Sequence, residues 1–227
     1  MAIAAFFDVD GTLYTAHMWR GLMQYAAEHG HANQVRLYYA TLFPLYGLRK
    51  LHLIGEETFR KPWVSNLGWM LRGWKAAEGE AAFRWIAQEY IRPTAREDMI
   101  ACLREHVAAK HVVVLVSAML KPALEILGQA LGVTGCVGTE IETRDGYFTG
   151  RVLPPVCMGI EKDRLTRKFL DERGLKVDLG ASFAYADSIS DQPLLEMVGR
   201  PVAVYPDPQL AALARARGWE SRPNIQP

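Results

Sequence analysis

The chain has 227 residues and a formal net charge of +1, with no run of Lys or Arg, so its charge gives no case for nucleic-acid binding. Half of the residues are hydrophobic and 22% are charged, which suits one or two folded domains with a sizeable core. No uncharged run reaches the ~18 residues of a membrane span, and the apolar N-terminal stretch, cut at Asp8, is too short for a signal peptide. The three cysteines form no close-spaced pair and favour a reducing compartment, so we expect a cytoplasmic protein.

The first predicted element is a buried strand at residues 3–7, followed directly by the sequence DVDGT at residues 8–12. Two carboxylates two residues apart leave a strand end on the same side, and Gly11 permits a sharp turn. Such a pair can bind a divalent cation, or one carboxylate can attack phosphorus while the other shuttles protons. The same pattern occurs in plain turns and in calcium loops. A calcium loop is disfavoured because Trp19 stands where its twelfth residue, a Glu, would fall.

A long helical insertion follows. Apolar spacing predicts helices, with no convincing strand between them, at residues 16–29, 32–50, 63–74, 79–91 and 94–109. An insertion of this length predicts a subdomain of its own. Its many aromatic residues either build the core of that subdomain or form an apolar cleft or a lipid-facing surface. They are Trp19, Tyr38, Tyr39, Phe43, Tyr46, Trp63, Trp69, Trp74 and Trp85.

The second half of the chain alternates strands and helices. The predicted strands are at residues 112–117, 135–139, 182–186 and 201–205, and the predicted helices at 122–132, 162–173, 192–198 and 208–217. This alternation predicts a parallel sheet with right-handed crossovers. Asp145-Gly146, between residues 141–143 and 147–149, predicts a β-hairpin. The tail at residues 221–227 reads as loosely ordered.

Polar residues stand where these strands end and helices begin. Ser117 ends the second strand and is suited to hold a phosphate oxygen or to cap the next helix. Lys162 is near the start of a predicted helix, where the helix dipole disfavours a cation. The alternatives are a functional role and a solvated lysine on the surface. Asp187 directly follows a buried strand and is a candidate metal ligand. Asp191, two residues before Pro193, is a further ligand candidate or a helix cap.

Together these motifs, spread from Phe6 to about Trp219, resemble those of haloacid dehalogenase superfamily phosphatases, close to the phosphoserine phosphatase-like subgroup. The matching positions, in order, are Asp8 with Asp10, Ser117, Lys162, and Asp187 with Asp191. Ala186 stands where this family often has a Gly. The resemblance implies an α/β fold, a Rossmann-like parallel-sheet core with an inserted helical cap subdomain. We expect the core at residues 1–14 and 91–220, the cap at 15–90 and a flexible tail at 221–227.

The resemblance also implies hydrolysis of a phosphomonoester through an aspartyl phosphate. Asp8 would be the nucleophile, and Asp10 would protonate the leaving group and later activate water. Thr12 and Ser117 would hold phosphate oxygens. Lys162 would neutralise the charge gathered around the nucleophile and the phosphate, as phosphoryl transfer requires.

The cofactor implied by the resemblance is Mg²⁺. Its ligands would be Asp8, Asp187 and the backbone carbonyl of Asp10, with Asp191 holding a metal-bound water or Lys162. Electrostatics supports this ligand set, because crowded carboxylates repel one another unless a cation and an ammonium offset their charge.

The sequence leaves the substrate open. Phosphoserine phosphatases carry an acidic residue soon after the first motif, but residues 14–19 contain none, which argues against phosphoserine. We expect His17 and Trp19, where the chain enters the cap, to set substrate specificity. The alternatives are a structural histidine and a tryptophan of the cap core.

Three functions remain. The leading hypothesis is a Mg²⁺-dependent phosphatase of a small phosphorylated metabolite. The second is a lipid-phosphate phosphatase without a transmembrane segment, in peripheral contact with a membrane through the aromatic cap. The third is a non-catalytic phosphate-binding module, against which the complete acidic set argues. A dehalogenase is disfavoured because it would need no acid at position 10.

Overall fold

The computed structural model describes residues 1–50 and 56–223, without the side chains of residues 45–50 and 56–61. The strands, β1 to β8 in chain order, are Ala4–Phe7, Val112–Leu120, Gly135–Thr139, Ile141–Arg144, Tyr147–Val152, Phe183–Ala186, Arg200–Val204 and Glu220–Arg222. The α-helices, α1 to α9, are Met18–Glu28, Ala32–Lys50, Glu56–Leu67, Ala76–Trp85, Glu97–Ala108, Lys121–Leu131, Ile160–Glu172, Gln192–Glu196 and Pro208–Arg217.

Six strands form one parallel sheet in the order β3-β2-β1-β6-β7-β8. Successive side chains of β1 point to opposite faces. Phe6 packs in a cluster with residues of α7, α8 and α9, whereas Phe7 packs in a second cluster with residues of α5, α6 and the insertion. Both faces of the sheet are therefore covered, and the predicted α/β fold with a parallel sheet is confirmed.

The sheet register determines where the functional loops meet. Phe7 at the end of β1 pairs with Leu115 of β2 on one side and with Tyr185 of β6 on the other. Because the strands are parallel and in near register, the segments that follow them emerge at one edge of the sheet. Asp8 and Asp187 begin two of these segments, and Ser117 lies within β2, two residues beyond the partner of Phe7, so the three residues are at the same edge.

The insertion is helical between β1 and β2 in the described residues. Helices α1 and α2 lie within two residues of their predicted bounds, and α4 continues into a π-helical turn at Ile86–Ile91. The predicted helix at 63–74 is wrong at both ends, since α3 spans Glu56–Leu67 and a 3₁₀ turn follows at Gly68–Leu71. Pro62 lies inside α3. Because proline normally marks a helix boundary, the prediction began the helix at residue 63, too late in the chain.

Much of the aromatic content of the insertion is interior. Trp74 and Tyr38 are fully buried, and the ring of Trp63 meets the ring of Tyr38 edge-on with centroids 5.3 Å apart. Phe43 on α2 differs, because its side chain is 71% exposed. The side chain of Tyr46 lies outside the described residues. Most of the described aromatic rings thus pack in or against the hydrophobic core, as the first of the alternatives above expects.

The chain leaves and re-enters the sheet through two adjacent segments. The backbone N–H of Thr15 donates to the carbonyl of Thr94 at 3.0 Å, and the N–H of Arg96 donates to the carbonyl of Leu13 at 2.8 Å. These hydrogen bonds hold the segment that leads into the insertion beside the segment that leads out of it. The cap boundaries of 15–90 remain a prediction.

The predicted hairpin is confirmed as β4 and β5, and it packs against the insertion. The buried ring of Phe148 meets Phe83 edge-on, and a Cβ on Gly79 would lie 2.2 Å from this ring. The backbone N–H of Phe148 also donates to the carbonyl of Trp74 at 2.9 Å. The hairpin lies between β3 and β6 in sequence and contacts the insertion through Phe148.

The prediction of a loose tail at 221–227 is wrong for Ser221 and Arg222, which belong to the edge strand β8. Arg222 pairs with Val204 of β7 in parallel register. The strand is only three residues long and has no apolar alternation, so sequence periodicity does not reveal it. Residues 224–227 lie outside the described part of the chain.

Candidate active site

Asp8 occupies the carboxyl end of the central strand β1. Its side chain is buried, and its backbone N–H donates to the carbonyl of Tyr185 at 2.9 Å. Lys162 Nζ donates to Oδ1 of Asp8 at 2.7 Å, and Thr12 Oγ1 donates to Oδ2 at 3.0 Å. Both carboxylate oxygens are therefore oriented by neighbours, as a nucleophile held in one direction requires.

Lys162 lies in the first turn of α7 and is buried, which excludes a solvated surface position. Its Nζ lies 2.7 Å from both Asp8 Oδ1 and Asp191 Oδ1. Burial alone would lower the pKa of Lys162, but the carboxylates of Asp191 and Asp8 outweigh it and raise the pKa above its ordinary value. The ammonium is therefore charged at neutral pH and links the loops after β1 and β6.

Three carboxylates converge around this ammonium. Oxygen atoms of Asp8, Asp187 and Asp191 all lie within 4.8 Å of one another. Burial raises the pKa of Asp187 to about 7, and the charges of Asp8 and Asp191 act in the same direction. A single ammonium does not offset this repulsion, and the donor set consists of oxygen atoms alone. The site therefore fits a hard divalent cation such as Mg²⁺.

Gly11 allows the loop after β1 to pass close to Asp187. A Cβ built on Gly11 would lie 2.1 Å from Asp187 Oδ2, which no real side chain could tolerate. The backbone of Gly11 has φ of +96°, a conformation that other residues rarely adopt. Any larger residue would therefore displace a carboxylate of the cluster.

Asp10 lies apart from this cluster and faces the insertion. Its Oδ1 accepts a 3.4 Å hydrogen bond from the backbone N–H of Met18, at the start of α1. Its Oδ2 lies 3.9 Å from Nδ1 of His17. The positive end of a helix dipole stabilises a carboxylate at this position. The start of α1 therefore orients the Asp10 side chain directly, and the backbone carbonyl of Asp10 remains a predicted metal ligand.

Ser117 is buried beside the loop after β1, but β2 does not end there as expected. The strand continues to Leu120 after a register irregularity that begins at Val116. Ser117 Oγ accepts the backbone N–H of Met119 at 3.2 Å, and the residue before α6 is Leu120, so Ser117 is not the cap of α6. The residues after Ser117 are apolar, and strand pairing between β2 and β3 resumes at Leu120. Sequence periodicity could not place this later end of β2.

A match to the family described as haloacid dehalogenase-like hydrolase covers residues 5–196. The chain belongs to this family. It is 34% identical to phosphoserine phosphatase SerB1 of Mycobacterium tuberculosis, over 98% of this chain and 71% of that protein. It is 27% identical to histidinol-phosphatase of Neisseria meningitidis, over 95% of this chain and 96% of that protein.

Among solved structures, a protein with unknown function from Bordetella pertussis Tohama I has the same fold. The TM-score is 0.80 at 27% identity, over 97% of this chain and 98% of that chain. The family match and the relatives named as phosphatases confirm the predicted phosphatase of the phosphoserine phosphatase-like subgroup. None of the helices in the described ranges is both long and apolar enough to cross a membrane.

The hydrolase separates the two residues expected to set specificity. His17 lies beside Asp10 and is partly exposed. Trp19 is half-buried and packs against the core of the insertion, where its ring meets Trp63 edge-on with centroids 5.1 Å apart. The guanidinium of Arg20 lies 5.1 Å from the centroid of the Trp19 ring. The structure thus brings His17 to Asp10, whereas Trp19 contacts Trp63 in the insertion.

Sequence reasoning missed the contribution of Asp207 to this hydrolase. The backbone N–H of Asp207 donates to the carbonyl of Asp187 at 2.8 Å, and its Oδ2 accepts the N–H of Ile189 at 2.8 Å. Asp207 also caps α9 through the N–H of Leu210. Its position before Pro208 signals a helix cap in the sequence, but nothing there indicates the contact with the Asp187 loop.

Proposed function

We propose that this hydrolase removes the phosphoryl group from a small phosphate monoester through an aspartyl phosphate on Asp8, with Mg²⁺ as its cofactor. The observation that carries the proposal is the bridge from Lys162 Nζ to Asp8 and Asp191, 2.7 Å each, within the cluster of three carboxylates. An ordinary ion pair joins one ammonium and one carboxylate, whereas Lys162 lies among three carboxylates. A site that concentrates negative charge beside one fixed carboxylate suits phosphoryl transfer.

The first step is attack by a carboxylate oxygen of Asp8 on phosphorus. A bond forms between this oxygen and phosphorus, and the ester bond breaks as the leaving oxygen takes a proton from Asp10. In the second step Asp10 accepts a proton from water, and the water oxygen attacks phosphorus. Inorganic phosphate departs and the Asp8 carboxylate is regenerated. The support for this division is the position of Asp10, outside the cluster and on the side of the insertion.

Charge neutralisation falls to the groups that surround Asp8. Lys162 offsets the negative charge of the transferred group, and Thr12 and Ser117 donate hydroxyl hydrogen bonds to its oxygens. Asp8 and Asp187, with the backbone carbonyl of Asp10, would hold the cation. When bound, Mg²⁺ would neutralise charge on the phosphoryl oxygens.

The proposed substrate is a small phosphorylated metabolite that enters between the core, 1–14 and 91–220, and the cap, 15–90. Two relatives are named as phosphatases of phosphoserine and of histidinol phosphate, which supports this size class. Residues 14–19 contain no acid to bind a substrate amine. His17, 37% exposed beside Asp10, is the described side chain best placed to meet the leaving group.

A cytoplasmic location remains part of the proposal. Its support is the state of Cys102, Cys136 and Cys157, which are buried and free. A reducing compartment keeps thiols in this state.

A second candidate, a lipid-phosphate phosphatase in peripheral contact with a membrane, is favoured by one observation. Leu37 and Phe43 on α2 are 51% and 71% exposed. Sedimentation with phosphatidic acid vesicles distinguishes the two candidates. Binding that Phe43→Ser abolishes would favour the lipid substrate, whereas activity on water-soluble esters without vesicle binding would favour the metabolite.

The proposal is tested with a panel of sugar, amino-acid, nucleotide and lipid phosphates, assayed with EDTA and after addition of excess Mg²⁺. We expect hydrolysis of at least one ester, loss of that activity with EDTA and its return with Mg²⁺. Calcium should substitute poorly, because its looser coordination misplaces the attacking carboxylate. Full activity in the chelated protein would contradict the metal assignment.

A further inference from the structure

We infer that Arg96 is a positioning residue that holds the catalytic loop in its active shape, an inference that rests on the proposed function. Arg96 directly precedes α5, where the chain returns from the insertion to the sheet. Its Nε donates to the carbonyl oxygen of Gly11 at 2.9 Å, and its backbone N–H donates to the carbonyl of Leu13 at 2.8 Å. One residue therefore binds the loop at two points.

The Gly11 carbonyl is the point at which the Arg96 side chain binds this loop. Gly11 lies between Asp10 and Thr12, and its lack of a Cβ leaves its own dihedral angles weakly restricted. The carbonyl belongs to the peptide plane that leads into Thr12, whose hydroxyl binds Asp8. A guanidinium on this oxygen fixes that plane, and with it the directions of Asp10 and Thr12. Small displacements of such groups have large effects on rate.

Arg96 is itself held by an aromatic platform. Its guanidinium carbon lies 3.7 Å from the centroid of the Tyr205 ring, within cation–π distance. The Tyr205 hydroxyl donates to Asp98 Oδ2 at 3.1 Å. The backbone of Tyr205 has φ of +44°, which is rare for an aromatic residue and costs free energy. The surrounding structure therefore maintains the ring under Arg96 despite local strain.

The same segment supports the opposite loop of the site. Asp207, two residues after Tyr205, binds the carbonyl of Asp187 and the N–H of Ile189. Residues 205–207 therefore contact the loop of Asp187 directly and the loop of Gly11 through Arg96. These are the two loops that approach most closely where Gly11 faces Asp187. The platform fixes their separation, and with it the geometry of the carboxylate cluster.

The experiment compares Arg96→Gln, Arg96→Lys and the control Arg104→Gln, which removes an exposed arginine from the same helix. On the best ester of the panel, we expect Arg96→Gln to lower kcat by about 10- to 100-fold while KM changes little. Arg96→Lys should recover part of kcat, because an ammonium can still donate to the Gly11 carbonyl. Tyr205→Asn, which tolerates the same backbone conformation but removes the ring, should give a smaller loss.

Hydrogen exchange of the loop at residues 9–15 gives a readout independent of activity. We expect faster exchange there in Arg96→Gln than in the wild type or in Arg104→Gln, with melting temperatures alike. An unchanged kcat together with unchanged loop exchange would overturn the inference. A loss of activity that only follows a lower melting temperature would also overturn it. If the wild type hydrolyses no ester, the proposed function fails, and the exchange comparison still decides whether Arg96 holds the loop.

Discussion

Two carboxylates separated by one residue have different surroundings in this structure. Asp8 is buried, and its Oδ1 lies 2.7 Å from Nζ of Lys162. Asp10 is partly exposed, beside His17 and the amino end of α1. A nucleophile and a proton carrier need such different environments. At the residue scale, the proposed roles of Asp8 as nucleophile and Asp10 as proton carrier rest on these different neighbours.

The first prediction concerns His106, a buried histidine away from the catalytic loop. Its Nε2 lies 2.8 Å from the Tyr185 hydroxyl and its Nδ1 lies 2.7 Å from Nδ1 of His111. Burial lowers the pKa of His106 from 6.5 to about 4, and the charges of His111 and Arg222 act in the same direction. The unfolded chain then takes up the proton first. Stability should therefore fall as the pH drops from about 6.5 towards 4, and the group should have little effect above pH 7.

Urea unfolding at pH 7 and pH 5 tests this sign. We expect the wild type to lose about 2 kcal/mol more free energy of unfolding between these pH values than His106→Gln does. The comparison with the variant removes the contributions of other titrating groups. Equal losses in the two proteins would show that His106 is not held neutral.

Single residues also mark what the sequence could predict at the site. Asp8, Asp187 and Lys162 follow buried strands or open a helix, so their placement was readable and the structure brings them together. Arg96 precedes a helix that begins with Glu97 and Asp98, an ordinary helix start. The contact of Arg96 with Gly11 depends on how the segments that enter and leave the insertion pack together. No local sequence pattern predicts that packing.

At the scale of elements, the hairpin of β4 and β5 links the insertion to the rest of the chain. Phe148 is buried against Phe83 and Gly79, whereas its neighbour Tyr147 is 46% exposed. We predict that Phe148→Ala lowers the free energy of unfolding by about 3–5 kcal/mol, because it leaves a cavity between hairpin and insertion. Tyr147→Ala is the matched control and should stay within about 0.5 kcal/mol of the wild type. Similar losses in the two variants would show that the hairpin is not fastened through Phe148.

The start of α1 carries the specificity prediction. His17→Ala and Trp19→Ala should change the ratio of kcat/KM between two unrelated phosphate esters and leave the metal requirement unchanged. His17 lies beside Asp10, and the ring of Trp19, two residues later, contacts Trp63. Because Trp19 also packs on Trp63, the melting temperature of the Trp19→Ala variant must be measured as well. If both variants lower activity on both esters by the same factor, these residues do not distinguish substrates.

Periodicity located most elements because buried strands and amphipathic helices carry strong patterns. It failed where pairing or packing, not pattern, sets the boundary. The strand β2 extends past Ser117, α3 includes Pro62, and β8 forms from a polar segment that only its pairing with β7 stabilises. None of these differences moves a candidate catalytic residue away from the edge of the sheet.

At the scale of the whole molecule, chain topology assembles the site. Asp8, Lys162 and Asp187 are far apart in sequence, but a parallel sheet with β1 at its centre brings the following loops to one edge. The insertion enters and leaves beside this edge and supplies the amino end of α1 to Asp10. In the proposed mechanism, the phosphoryl group is transferred at the edge of the sheet, and the insertion positions the proposed proton carrier Asp10.

The most direct test of the central claim is to trap the phosphorylated enzyme. The protein is mixed with p-nitrophenyl phosphate and Mg²⁺, quenched in acid within the first turnovers and mapped by mass spectrometry. The account predicts one phosphoryl group on the peptide that contains Asp8, and none in Asp8→Asn. Asp10→Asn should still be labelled, because this leaving group departs without an acid, although turnover falls roughly 10²–10⁴-fold. Hydrolysis by the wild type with no label on Asp8, or by Asp8→Asn at the wild-type rate, would contradict the account.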